Sequence, residues 1–75
     1  MPKLRPLKAQ HLIKILNRLN FVSIRQKGSH VFMRHSDGRT TVVPVHAGEE
    51  IDRGLLNKII KKDLGISIEE FITYM

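Results

Sequence analysis

Residues 27–45 read K-G-S-H-V-F-M-R-H-S-D-G-R-T-T-V-V-P-V, and this stretch decides the fold class. Ser29 to His35 and Arg39 to Val45 both read as strands, and Asp37-Gly38 between them is among the strongest short-range signals for a β-hairpin. Lys27-Gly28 offers a second turn, which makes Phe21 to Gln26, also rich in β-formers, a strand preceding the pair. Pro44 has no N–H to give a ladder, so the last strand lies at an edge or turns irregular near its end. A two-residue Asp37-Gly38 loop pairs Ser36 with Arg39 and sets Ser29 opposite His46. That register puts His46 near His30 in space but on the other face, unless Pro44 breaks it. It also puts Phe32, Val43 and Val45 on one face and Val31, Met33 and Val42 on the other. Apolar residues thus stand on both faces, and the pattern does not say which is open.

Upstream of the strands, Leu12, Ile15, Leu16 and Leu19 recur at helical spacing within Leu7 to Leu19, with Ile13 beside them. His11, Lys14 and Arg18 share the polar side, giving this helix a cationic outer face. Pro6 stands just ahead, where proline is tolerated at a helix start. Downstream, residues 46–52 read as a loop. A second helix starts near Arg53 or Gly54, with Leu56, Ile59, Ile60 and Leu64 inward and Lys58, Lys61 and Lys62 outward. Gly65 is placed for a left-handed cap with Ile66 folding back on the helix. Ser67 and Glu70 have the spacing of a capping box that starts a short helix through Tyr74. The order is α-β-β-β-α plus a short C-terminal helix, an α+β fold in a single small domain over residues 1–75. A three-stranded antiparallel sheet with helices on one face is the economical way to bury these stripes.

A chain of 75 residues suffices for one core but leaves little room for a deep pocket. A shallow groove suits a polymeric ligand better than a small metabolite. The absence of cysteine excludes disulfide staples and thiolate metal sites and fits a cytoplasmic location. No apolar run approaches the roughly 18 residues a membrane span needs, and the N-terminus lacks the apolar segment of a secretory signal. The formal charge of +6 is unevenly spread. Residues 1–36 carry eight basic residues and no acidic one, while the other five basic residues face all seven acidic ones. Such a footprint suits a polyanion, with nucleic acid the first candidate and an acidic protein the second.

Lys27-Gly28-Ser29-His30, then His35-Ser36-Asp37-Gly38-Arg39, then Val42-Val43-Pro44-Val45-His46, occur in an order and spacing that resembles the HicA toxin family. The likeness continues through Ala47 to Leu56 and ends with Leu64-Gly65-Ile66-Ser67, so it spans nearly all of the chain after Leu7. Leu55 stands where many members have threonine, and Lys61-Lys62-Asp63 where relatives often read Arg-Gln-Ala. The resemblance implies a compact double-stranded-RNA-binding-like fold, which agrees with the order read above. It also implies a metal-independent endoribonuclease that cleaves mRNA without a cofactor, is blocked by a HicB-like antitoxin, and uses the histidine of the G-S-H motif, His30.

These residues suit the chemistry. RNA carries its own nucleophile, the 2′-hydroxyl. Cutting it needs a base for that proton, an acid for the leaving 5′-oxygen, and positive charge on the phosphate. A histidine, with an unperturbed pKa near 6.5, supplies either proton role near neutral pH. Lys27, Arg34 and backbone N–H groups are the candidates to hold the phosphate, with Lys14 and Arg18 extending the RNA-binding surface. Gly28 allows positive φ and a close approach of the RNA backbone. Ser29 either bonds a phosphate oxygen or caps the turn. Without the family likeness, Lys27-Gly28-Ser29 would read as an ordinary hairpin turn.

His46 is either an auxiliary acid or base or a structural residue of its loop; His35 braces the turn, and His11 belongs to the helix's polar side. Zinc is a poor reading, because His30 and His35 point to opposite faces of one strand and no cysteine is available. Two other functional readings compete. One is a non-catalytic RNA-binding module of the same fold, gripping phosphates and 2′-hydroxyls without cutting. With one tyrosine, three phenylalanines and no tryptophan, some of them wanted in the core, its binding would run through the RNA backbone. The other is a protein-interaction subunit whose basic surface meets an acidic partner. This overlaps with the toxin reading, since an antitoxin would lay an acidic patch over His30. The oligomeric state of the free chain is not legible.

Overall fold

Asp37-Gly38 does make a hairpin, but the loop is three residues long. The computed structural model describes residues 4–75. In it the His35 N–H donates to the Arg39 carbonyl at 2.9 Å and the Gly38 N–H to the His35 carbonyl at 2.9 Å. Ser36, Asp37 and Gly38 therefore form the loop, with Gly38 at φ +100°. The Asp37 side chain accepts the Arg39 N–H at 3.0 Å, a local bond that fixes the longer turn.

The chain runs β1 (Leu7–Lys8), α1 (Ala9–Arg18), β2 (Phe21–Lys27), β3 (His30–His35), β4 (Thr40–Pro44), β5 (Glu50–Ile51), α2 (Arg53–Lys58) and α3 (Ile68–Ile72). A π-helical stretch, Ile59–Leu64, continues α2. The main sheet is antiparallel with order β2-β3-β4.

The extra loop residue corrects the expected register by one. Arg34 pairs with Thr40, Phe32 with Val42, Val31 with Val43 and His30 with Pro44. A slip of one residue exchanges the faces of a strand. Val43 thus joins Val31, Met33 and Thr41 against the helices, where all four are buried. Phe32 and Val42 go to the side the helices leave uncovered. A bulge at Ile24 does the same to β2, where Ser23 pairs with Met33 and Arg25 with Phe32. Val22 and Arg25, three apart in sequence, share the open face as a result.

Against the covered face α1 lays Leu12, Ile15 and Leu16, and the second helical segment lays Leu56, Ile59, Ile60 and Leu64, all buried. Several boundaries differ from the sequence reading, among them the end of α3, which stops at Ile72 and not at Tyr74. The helix α1 begins at Ala9 because Leu7 and Lys8 pair with Ile51 and Glu50 in a small ribbon, β1-β5, inside what reads as the start of the helix and as loop. Leu7 and Ile51 are buried there. The second helix widens to π geometry before it ends at Gly65, whose φ of +69° makes the expected left-handed cap. The Ile66 N–H then closes back on the Ile60 carbonyl at 3.2 Å. Asp52 caps α2 through the Leu55 N–H at 2.9 Å, and Ser67 caps α3 through the Glu70 N–H at 3.0 Å.

Polar ties join the sheet to the second helical segment. Thr41, only 3% exposed, donates its hydroxyl to Asp63 at 2.9 Å. Asp63→Ala strands that hydroxyl and is expected to cost about 1–3 kcal/mol in denaturant unfolding, most of it recovered by adding Thr41→Val. Arg39 bonds Asp37 at 2.8 Å, reaches the Leu64 carbonyl, and lies over the Phe21 ring at 5.3 Å. The Arg39 N–H, helped by its guanidinium, holds the Asp37 carboxyl below its ordinary value of 3.8. A depressed carboxyl contributes stability that is present above its unfolded pKa and drains as pH falls through the folded one. The melting temperature of the parent is therefore expected to fall more steeply than that of Asp37→Asn below about pH 4.

Candidate active site

His30 opens β3 directly after the Gly28-Ser29 turn. Gly28 takes φ +58°, which only a residue without a side chain adopts at no steric cost. A Cβ placed there would meet nothing within 4 Å, so the space beside the turn is open. The Ser29 carbonyl accepts the Val45 N–H at 2.6 Å and ties the turn to the end of β4. Ser29 is thus half-buried, and its carbonyl is committed to the fold. His30 itself is exposed, and no side chain among the described residues hydrogen-bonds its imidazole.

Register decides what surrounds it. His30 pairs with Lys27 on one side and Pro44 on the other, so the three share a face. Two steps along β3 on that face is Phe32, and two further is Arg34. Arg25 lies across Phe32, its guanidinium carbon 4.7 Å from the ring centroid. The open face therefore gathers Arg25, Lys27, Arg34 and His30 with no acidic residue among the paired positions. At the β4 edge it runs into a groove of about 520 Å³ between the sheet and the second helical segment. His30, Pro44, Leu55, Lys58 and Asp63 are among its walls.

Over residues 9–66 the sequence matches a family described as HicA toxin of bacterial toxin-antitoxin. The chain belongs to the HicA toxin family. The matched segment runs from α1 through Ile66 and so takes in the whole main sheet and the G-S-H turn. HicA toxins are broadly ribonucleases and work opposite an antitoxin partner. No curated protein sequence matches the chain.

On this HicA fold, some residues singled out in the sequence come together and others do not. Lys27, Gly28, Ser29, His30 and Arg34 lie on or beside the open face. Lys14 and Arg18 do not join them. They are exposed on α1, whose other side packs the covered face of the sheet. Arg18 is also committed to the C-terminus, donating to the Tyr74 carbonyl at 3.1 Å.

His46 lies past the end of β4 in an adjoining hollow with Glu49 and Asp52, and that hollow shares Pro44 and Leu55 with the groove of His30. The expected pairing of Ser29 with His46 is replaced by the bond from Val45 to Ser29. His35 points to the covered side, edge-on to Phe21 at 5.3 Å, with Nδ1 accepting the Asp37 N–H at 3.0 Å. No group of three or more His, Asp or Glu side chains among the described residues could hold a metal ion. No described helix is long and apolar enough to cross a membrane.

Arg25, Phe32 and Lys58 are the residues that sequence reading missed. Strict alternation from Phe21 sends Arg25 to the covered side, and only the bulge reverses it. Phe32 shares a face with Val43 in the two-residue register, so nothing separates it from the core until the three-residue loop is known. Lys58 reads as one of three solvated lysines, and only the tertiary fold brings it to the groove of His30.

Proposed function

We propose that this toxin is a metal-independent endoribonuclease that cuts mRNA with His30, and that a HicB-like antitoxin restrains it. The observation that carries the reading is the position of His30, exposed on a basic, acid-free sheet face at the mouth of a groove that also presents Lys58. His30 takes the proton of the 2′-hydroxyl or gives one to the leaving 5′-oxygen. The 2′-oxygen bonds phosphorus as the 5′-oxygen departs, leaving a cyclic phosphate and a free 5′-hydroxyl. Lys27 and Lys58 hold the negative charge of the phosphate that is cut, Arg34, farther along the face, holds a neighbouring phosphate, and Gly28 lets the strand approach the turn. Ser29 and the backbone N–H groups of the turn add hydrogen bonds to phosphate oxygens.

Lys14 and Arg18 form a second cationic surface on the helix side, reached by a longer RNA that passes around the sheet edge. His46, in the adjoining hollow, is assigned an auxiliary role at most, and His46→Ala is expected to lower cleavage far less than His30→Ala. The antitoxin covers His30 with an acidic patch, and both proteins work in the cytoplasm.

The test is cleavage of a single-stranded RNA by the native protein and by His30→Ala, with a chelator in both reactions. Cutting by the native protein alone supports the reading. Equal cutting by both overturns His30 as the centre. Binding without cutting by either makes the protein a non-catalytic RNA-binding module.

A further inference from the structure

The open face of the sheet carries an aromatic ring that nothing in the proposed chemistry uses. Phe32 is half-buried there, with Val42 beside it at 38% exposure and Val22 at 59%. Arg25 lies over the ring at 4.7 Å and is paired with no carboxylate among the described residues. An unpaired cation over an apolar ring in water is poorly placed to serve the fold, since α1 and the second helical segment build their core on the other face. It is well placed for a nucleobase, which stacks on aromatic rings and on guanidinium planes alike. Phe32 and His30 stand two residues apart on the same face of one strand, about 7 Å along it. That is a stride within reach of one nucleotide.

We propose that Phe32 and Arg25 form a stacking platform for one base of single-stranded RNA, and that this base positions the adjoining phosphate at His30. The proposal rests on the ribonuclease reading for its role in cleavage, and on charge for its occupant. Arg25, Lys27 and Arg34 ring the platform with no acidic residue on the paired positions of that face, which favours a polyanion. Selectivity for a base arises at Phe32, because the phosphate contacts are shared by every nucleotide. A platform of one ring predicts preference for a base over no base, and for purines over pyrimidines, with little further sequence reading.

The chain has no tryptophan, so Phe32→Trp introduces a single reporter into the full-length protein. The probe is a short 2′-O-methyl RNA, which cannot be cut, compared with the same strand carrying one abasic site moved along it. The indole is expected to be quenched by the intact strand, with quenching lost when the abasic site occupies one position. Phe32→Ala is expected to weaken binding of the intact strand roughly 5- to 150-fold and to erase the penalty of the abasic site.

Equal affinity of native protein and Phe32→Ala for the intact strand, with the variant folded by circular dichroism, overturns the platform. So does a Phe32→Ala variant that binds RNA normally but loses its antitoxin, which makes the face a protein-docking surface. Should Phe32→Ala fail to fold, the Phe32→Trp quench decides alone. The two readings fail separately. Loss of base dependence with His30-dependent cutting retained removes only the platform. Base-dependent quenching in a protein that never cuts removes only the nuclease.

Discussion

His30→Ala is expected to lower RNA cleavage about 10²- to 10⁴-fold, the range that one positioned proton transfer contributes. The melting temperature is expected to stay within a few degrees of the parent. The second half of that statement comes from burial. His30 is exposed and bonded to no described side chain, so its removal opens no cavity and strands no buried polar group. Surface changes of that kind usually shift stability by about 0.5 kcal/mol or less. A structural role would give the opposite pattern, with melting lowered and activity falling in proportion to the folded fraction.

The pair of measurements is therefore more decisive than either alone. RNA affinity measured with an uncleavable strand adds a third axis. Lys27, Arg34 and Arg25 remain in the variant, so affinity is expected to fall little and to keep its steep dependence on salt. A parallel drop in affinity and rate would make His30 a binding residue. Loss of rate alone assigns it to proton transfer.

Local signals are legible in this sequence, and signals that depend on one residue of register are not. Gly65 and Ser67 each act through their own neighbours, and both caps are where their residues imply. The apolar stripes of α1 and of the second helical segment are buried as their spacing requires. The faces of the main sheet turn on a single place. Whether the loop at Asp37-Gly38 has two residues or three turns on the Asp37 carboxylate meeting the Arg39 N–H, and period-2 alternation carries no trace of that bond. The consequence is large, since it parts Val43, which is buried, from Phe32, which goes to the open face.

The bulge at Ile24, and with it the side on which Arg25 lies, has no mark in the alternation for the same reason. The β1-β5 ribbon joins Leu7 to Ile51, and two-residue strands so far apart in sequence have no pattern of their own. For the candidate site, Lys27 to His30 was legible because the turn and the histidine are contiguous. The cations of β2, and Lys58 of α2, reach the same place only through the tertiary fold.

The largest loss of stability is expected at Phe71→Ala. Phe71 is the one fully buried side chain of α3, a helix of five residues, Ile68–Ile72. A helix so short does not persist in water by itself, because nucleation costs more than a single turn returns. Its existence depends on the Ser67 cap, worth about 1 kcal/mol, and on Phe71 in the core. Truncating a buried phenylalanine costs about 3–5 kcal/mol. A chain of 75 residues at ordinary stability per residue has about 4–11 kcal/mol in all.

The substitution is thus expected to remove about a quarter or more of the total, and α3 is expected to release before the sheet does. Arg18 then loses its bond to the Tyr74 carbonyl, and the core loses the cover of Ile68 and Tyr74. Two outcomes of denaturant unfolding separate these effects. A lower midpoint with unchanged slope means that α3 stays docked on a weakened core. A lower midpoint with a shallower slope means that α3 has already left the native state, since the slope follows the surface exposed on unfolding. His30, Phe32 and the cations of β2 lie across the sheet from Phe71, so RNA binding by the folded fraction is expected to survive in either case. Loss of RNA binding by protein that is still folded would instead make α3 part of the RNA surface, contrary to the assignment of the open sheet face.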